Sequence, residues 1–437
     1  MLKLKNLEKE QFDEFVKNHK SKSHFLQSLS WGEFAKAKKN LTPYYLGLVN
    51  DKDEVVGATL LLEKKLPLNL CYFYAPRGFV LDYNKAETVR AMTNKIKDFA
   101  KSKKAIFVKI DPDIIKTSSN YLNEEQENKN FEEIFNTLKK CGFKHLGFTK
   151  NFETMQPRYT FRIDLDQDLD TIESHFSKTT KQRIAKAKKI DTEVVIGDKS
   201  DVKEFYHLMT LTENRKDFIS YTEDYYETLY EIFNSNKNSK ATLFLGKVNF
   251  PKTINALEKN LKDINNQISI LPIDNLSKSA KAKLAELTRQ KENVTKEIAK
   301  YKDYKKEYGD SITLSAHMII EYGDKAWVLY AGNHNILSET YVNYNTYFEH
   351  IKHCKEEGLK IYDQFGTIGD LSKDNPRLGL HEFKKKFGGD YVEFIGEFDL
   401  VTNPVMYFVF TKLVPIYRKL VRNKSKKELK HEISKSK

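Results

Sequence analysis

The chain has only three cysteines in 437 residues, and Cys71, Cys141 and Cys354 share no C-x-x-C spacing. Neither a disulfide framework nor a thiolate zinc site is therefore expected, and all three read as buried thiols in a reducing compartment. No run of eighteen apolar residues occurs, and the opening MLKLKNLEKEQF lacks the apolar stretch of a signal peptide. A cytoplasmic chain without a membrane span is predicted. The loops that cradle nucleotides, G-x-x-x-x-G-K-[ST] and G-x-G-x-x-G, are missing, as are the H-E-x-x-H zinc helix and the G-x-S-x-G elbow. No segment fits the [QR]-x-x-G-x-[GA] loop with which acetyl-coenzyme A transferases hold pyrophosphate. No cofactor is expected. His350, His353 and Cys354 cluster on a predicted helix but have no further ligand set beside them, so a structural role is read and no metal is expected.

What is present is charge and aromatic mass. An aromatic content of 12% argues for a folded chain with proper cores, and this length allows two or three domains. The net charge of +13 predicts attraction to phosphates or anionic surfaces. Part of it is local: the tail 417–437 carries nine Lys and Arg against Glu428 and Glu432. A peripheral contact with an anionic membrane face is one reading of that tail, and a solvated end is the other.

Residues 251–308 interrupt two predicted strands, 241–248 and 312–321, with a helical hairpin. Ile254, Leu257, Leu261, Ile264, Ile268 and Leu271 recur at steps of three and four, the seam of a coiled coil, before the turn residues Pro272, Asp274 and Asn275. Leu284, Leu287, Val294, Ile298 and Tyr301 give the returning helix a looser seam. An insertion that leaves a sheet and returns to it is an arm, and twenty helical residues reach about 30 Å. Self-stabilisation or a homo-oligomer contact is the bland use of such an arm. Predicted strands and helices recur in a similar order along the chain: strands 44–49, 55–63 and 70–74, helix 85–101 and strand 105–110, then, around the arm, strands 241–248, 312–321 and 326–332, helix 340–357 and strand 360–363. An α/β (α+β) fold with a duplicated domain follows.

Several ordered segments resemble the Fem family (FemA, FemB, FemX, MurM), peptidyltransferases that move an amino acid from aminoacyl-tRNA onto the peptidoglycan stem peptide. They are FLQSLSWGEFAK (25–36), YAPRGFVLDY (74–83), VKIDPDI (108–114), QPRYTF (156–161), SKTTKQRIAKAKK (177–189), LYAGNH (329–334), YDQFG (362–366) and LGLHEFKKKFGGDYVEFIGEFD (378–399). The resemblance is closest to the FemX type. It implies two acetyltransferase-like (GNAT-like) domains: 1–155 completed by 398–416, and 156–250 with 309–397. The coiled-coil arm 251–308 and a basic tail 417–437 complete the layout. It also implies aminoacyl-tRNA and either lipid II or UDP-MurNAc-pentapeptide as partners.

Aminoacyl transfer needs a neutral amine, a place for the oxyanion and a proton acceptor, and it requires no metal. The resemblance assigns Asp111, at a strand end, to organising a water near the amine. It places Phe383 and Lys384 at the catalytic channel, with the ammonium stabilising developing negative charge. Lys36, Tyr225 and Tyr330 match positions that grip the diphosphate and sugar of the precursor, with Lys38 as a substitute for Lys36. The family's arginine four residues before Tyr225 is here Tyr221, so Arg215 or Arg183 is expected to compensate. The basic run from Lys178 to Lys189 reads as a solvated helix face or as a salt-sensitive contact to tRNA or to the lipid diphosphate. The rival from another class is a non-catalytic RNA-binding scaffold that uses the arm.

Overall fold

The computed structural model describes residues 2–190, 192–216, 220–271 and 277–415, with side chains undescribed also at 214–216. Two sheets carry the molecule. The seven-stranded sheet runs, in spatial order, Lys3–Asn6, Thr42–Val49, Val55–Leu66, Leu70–Ala75, Ala105–Ile110, Phe398–Val401 and Phe143–His145. The nine-stranded sheet runs Thr192–Gly197, Ser239–Asn249, Ser311–Tyr322, Lys325–Asn333, Ile361–Asp363, Tyr159–Asp164, Asp390–Phe394, Ile115–Ser119 and Glu125–Glu127. Among the described residues each contains a single parallel pair, Leu70–Ala75 with Ala105–Ile110 and Lys325–Asn333 with Ile361–Asp363. A parallel pair needs a crossover, and the helices Ala86–Ser102 and Val342–Glu356 supply it.

Both sheets draw on distant parts of the chain. Phe398–Val401 pairs with Ala105–Ile110 and Phe143–His145, so the chain's late segment returns to the first sheet. Ile115–Ser119 and Glu125–Glu127 join the second sheet because Asp390–Phe394 offers them an antiparallel edge. Sheet membership therefore crosses the 155/156 division.

The arm is two packed helices, Phe250–Ser269 and Lys278–Tyr308. Asn249 caps the first through the Lys252 N–H, with Pro251 in its opening turn, and Ser277 caps the second through the Ala280 N–H. Ile254, Ile264, Leu287, Val294, Ile298 and Tyr301 are buried together, with Leu257, Leu261, Ile268 and Leu271 partly buried against them. Leu284, by contrast, is only half-buried outside this cluster. The strands on either side pair directly, from Ser239↔Tyr322 to Asn249↔Ser311, so the sheet closes beneath the insertion.

One apolar cluster joins the two halves: Phe12, Phe25, Trp31 and Phe34 pack with Tyr226, Phe233, Leu243 and Trp327. The Phe25 ring lies 5.1 Å from Trp327. At about 1.5–3 kcal/mol for each fully buried large apolar side chain, this interface is a core rather than a transient contact.

Candidate active site

Asp111 follows the last residue of strand Ala105–Ile110 and is 2% exposed. Its Oδ2 accepts from the Tyr74 hydroxyl at 2.8 Å and its Oδ1 from the Arg77 backbone N–H at 2.6 Å. Burial pushes its pKa up to about 6, against the opposing Arg77 charge and these two hydrogen bonds. A carboxylate poised there can exchange a proton near neutrality.

Lys384 lies in the helix Leu378–Lys385 and is 6% exposed. Its Nζ donates to the carbonyls of Gln364, Phe365 and Gly366 at 2.6, 2.8 and 2.8 Å. All three ammonium donors thus meet the chain's own backbone. Burial pulls its pKa down to about 7, opposed by the Asp363 carboxylate. The expected oxyanion contact would have to take over one of these donors, so the first task of Lys384 here is to hold the 364–366 turn. Gln364 answers by donating its Nε2 to the Lys384 carbonyl at 3.1 Å.

A short contact path joins Asp111 to Lys384. The Arg77 Nη2 donates to the Pro157 carbonyl at 2.7 Å. Gly366 lies so close to the Pro157 ring that a Cβ there would stand 2.4 Å from its Cγ, and the Gly366 carbonyl is held by Lys384. A second path, missed in the sequence, is ionic. Arg162 binds both oxygens of Asp113 at 2.8 and 3.3 Å and, through Nε, Asp363 Oδ2 at 2.8 Å. Burial opposes the charge on Asp113, yet the cations of Arg162, Lys22 and Lys325 hold it well below the usual carboxylate range. The Phe394 ring is flanked by both guanidinium groups, Arg77 at 4.4 Å and Arg162 at 4.9 Å. An arginine inside the strand Tyr159–Asp164 was the one sequence signal for this network.

Tyr225 and Tyr330 share a hydroxyl hydrogen bond of 3.1 Å, and Tyr221 stacks on Tyr225 with ring centroids 3.8 Å apart. Thr222 caps the helix that carries Tyr225. Lys36 is exposed on helix Leu29–Lys39, and Lys38 pairs with Asp224. The lysine brought to the tyrosines is Lys39, 4.5 Å over the Trp31 ring and 6.0 Å over Tyr225, with burial pulling its pKa down to about 8. Helical geometry explains the exchange, because Lys39 lies eight residues beyond Trp31, back on its face, and Lys36 does not. The Arg215 side chain lies outside the described residues.

Phe383 lines a cavity of about 720 Å³ together with Thr212, Asn333, Tyr341, Tyr344 and Arg377. Neither Asp111 nor Lys384 lines it. The helix Lys178–Lys189 sends two cations to its aromatic wall: Arg183 sits 5.1 Å from the Tyr341 ring and hydrogen-bonds the Tyr344 hydroxyl, and the Lys186 Nζ lies 5.3 Å from Tyr341. His350 is bonded to the Tyr362 hydroxyl and His353 to Glu321, which accounts for that histidine pair structurally.

Residues 7–414 match the FemAB family. The chain belongs to the FemAB family. It is 31% identical over 425 residues to a protein named "Lipid II:glycine glycyltransferase" from Staphylococcus aureus (strain USA300), covering 93% of this chain and 94% of that one. The corresponding protein of strain MSSA476 is 31% identical over 420 residues, with the same coverage. Among solved structures, "Crystal structure of FemX" superposes with a TM-score of 0.77 at 27% identity, covering 93% of this chain and 99% of the other. FemAB membership, with relatives named as glycyltransferases, marks the chain as a transferase, and its mixed α/β fold is shared with FemX.

Proposed function

We propose that this FemAB protein is an aminoacyl-tRNA-dependent peptidyltransferase that adds an amino acid to the stem-peptide lysine amine of lipid II at the cytoplasmic face of the membrane. Glycine is the first candidate for that amino acid, with alanine and serine behind it. The observation that carries this reading is near full-length similarity to a lipid II:glycine glycyltransferase. The site chemistry supports it. The neutral amine attacks the ester carbonyl, a C–N bond forms and the ester C–O bond breaks. The amine's proton leaves through a water held by Asp111, and the ribose hydroxyl departs protonated. The Lys384 ammonium, with the turn it holds, supplies positive potential where the oxyanion develops.

The cavity beside Phe383 is the proposed seat of the aminoacyl end of the tRNA, because aromatic rings flanked by cations stack bases and meet phosphates. Tyr225, Tyr330 and Lys39, with Lys36 at the edge, are the proposed grip on the precursor, and the arm is the proposed contact for the tRNA body. The test is a panel of labelled glycyl-, alanyl- and seryl-tRNA offered with lipid II and with UDP-MurNAc-pentapeptide. Label should pass to lipid II from glycyl-tRNA. No transfer from any of the three to either precursor would refute the proposal.

A further inference from the structure

Val405 is 73% exposed, Phe408 57% and Leu413 47%, three apolar side chains on one short segment. That segment is the helix Pro404–Phe408, continued by the wider turn Val409–Leu413. It is pinned to the first sheet. Asn403 caps it through the Met406 N–H, and the Tyr407 hydroxyl donates to Asp399 Oδ2 at 2.8 Å. The Phe410 ring lies 5.7 Å from Tyr72 and 5.9 Å from Phe107. With Tyr407 and Phe410 facing the sheet, Val405 and Phe408 stand outward at helical spacing, and the next position of that stripe is the exposed Lys412. Apolar groups held outward on a braced element mark an interaction surface.

Charge selects what covers it. The sequence that follows carries nine Lys and Arg against two Glu across 417–437. A second copy of the chain on the same face would bring a second basic tail against the first, whereas an anionic surface would attract both elements. We propose that residues 404–415 dock on an anionic lipid bilayer, with Val405, Phe408 and Leu413 entering the headgroup boundary and the net positive charge of the following sequence favouring an anionic surface. The strand register puts this surface in useful relation to the site. The Thr402 hydroxyl donates to the carbonyl of Ala105, at one end of Ala105–Ile110, and Asp111 follows the other end. At about 3.3 Å per residue the two lie roughly 20 Å apart along the strand. The docking stands by itself; its use, to bring the site to a membrane-anchored acceptor, rests on the proposed function.

The test is co-sedimentation of the full-length protein with vesicles of phosphatidylglycerol and phosphatidylcholine, compared with pure phosphatidylcholine. Wild type should prefer the anionic vesicles and lose that preference at high salt. V405E/F408E should bind at least about tenfold more weakly, since two charges replace the inserted groups. K424E/K426E/K427E should keep residual binding without lipid preference. Phe408→Trp, which needs no disruptive change, should shift its emission to the blue on adding anionic vesicles. Equal binding by V405E/F408E, an unshifted emission spectrum of the F408W variant, or a concentration-dependent dimer abolished by V405E/F408E would each overturn the proposal. With the soluble nucleotide-linked precursor, V405E/F408E should turn over like wild type, and with vesicle-embedded lipid II more slowly. Absence of transfer by wild type in both assays would count against the proposed reaction and leave the vesicle result standing.

Discussion

The ends of the two parallel strand pairs use the same backbone device with opposite chemistry. Each puts a non-glycine residue in the left-handed region, Arg77 at φ +55° and Phe365 at φ +57°. Each has an aspartate accept that residue's N–H, Asp111 at 2.6 Å and Asp363 at 2.7 Å. Such a conformation costs about 1–3 kcal/mol and persists where the surroundings over-determine it. The surroundings then diverge. Asp363 is also bound by Arg162 and Thr160, and the group there whose pKa lies near neutrality is Lys384, at about 7. Asp111 has Tyr74 and the Arg77 N–H, and is itself pushed up to about 6. The two ends thus share a left-handed residue bonded to an aspartate, with a titratable carboxylate at one end and a cation at the other.

The most damaging way to break this comparison is Arg162→Met, which leaves Asp113 and Asp363 buried without their shared cation. A loss of about 3–5 kcal/mol is expected in denaturant unfolding, because an unpaired buried charge costs that much. An unchanged midpoint would show that the two ends are held together some other way. Lys384→Met removes three charge-assisted bonds to one turn. It should lower kcat by about 10²–10³-fold in single-turnover transfer, with KM for the precursor little changed. Equal effects on kcat and KM would make Lys384 a binding residue.

Asp111→Asn should cost about 10²-fold in rate and change the shape of the pH profile. The sign follows from the raised pKa: the carboxylate is ionised above about pH 6 and protonated below it. Wild-type kcat/KM should therefore fall as pH drops through about 6, and the Asn variant should lack that limb. The smallest effect is expected at the tyrosine cluster. Lys39→Met removes one cation over Trp31 and Tyr225 and should raise the precursor KM by only a few fold, in keeping with about 0.5–1 kcal/mol for such a contact. Lys36→Met, at an exposed position, should change it less.

The arm was legible because a three-and-four repeat is a local signal that Ile254, Ile264, Leu287 and Val294 carry in the sequence itself. Strand order was not. Phe398–Val401 is four residues long, and its place between Ala105–Ile110 and Phe143–His145 depends on partners more than 250 residues away. The site divided in the same way. Asp111, Phe383 and Lys384 sit in recognisable segments, and so did the tyrosines. That Lys384 spends its donors on residues 364–366, that Lys39 rather than Lys36 reaches Tyr225, and that Arg162 ties Asp113 to Asp363 are facts of packing, with no periodicity or motif to announce them.

The central claim is that Asp111 and Lys384, one from each strand-pair end, act in a single transfer step. A double-mutant cycle on the transfer rate, using Asp111→Asn, Lys384→Met and the double variant with saturating charged tRNA and lipid II, tests it directly. The account predicts strong non-additivity, with the double variant scarcely slower than the slower single one. Losses that simply multiply would show two groups working independently and would contradict it.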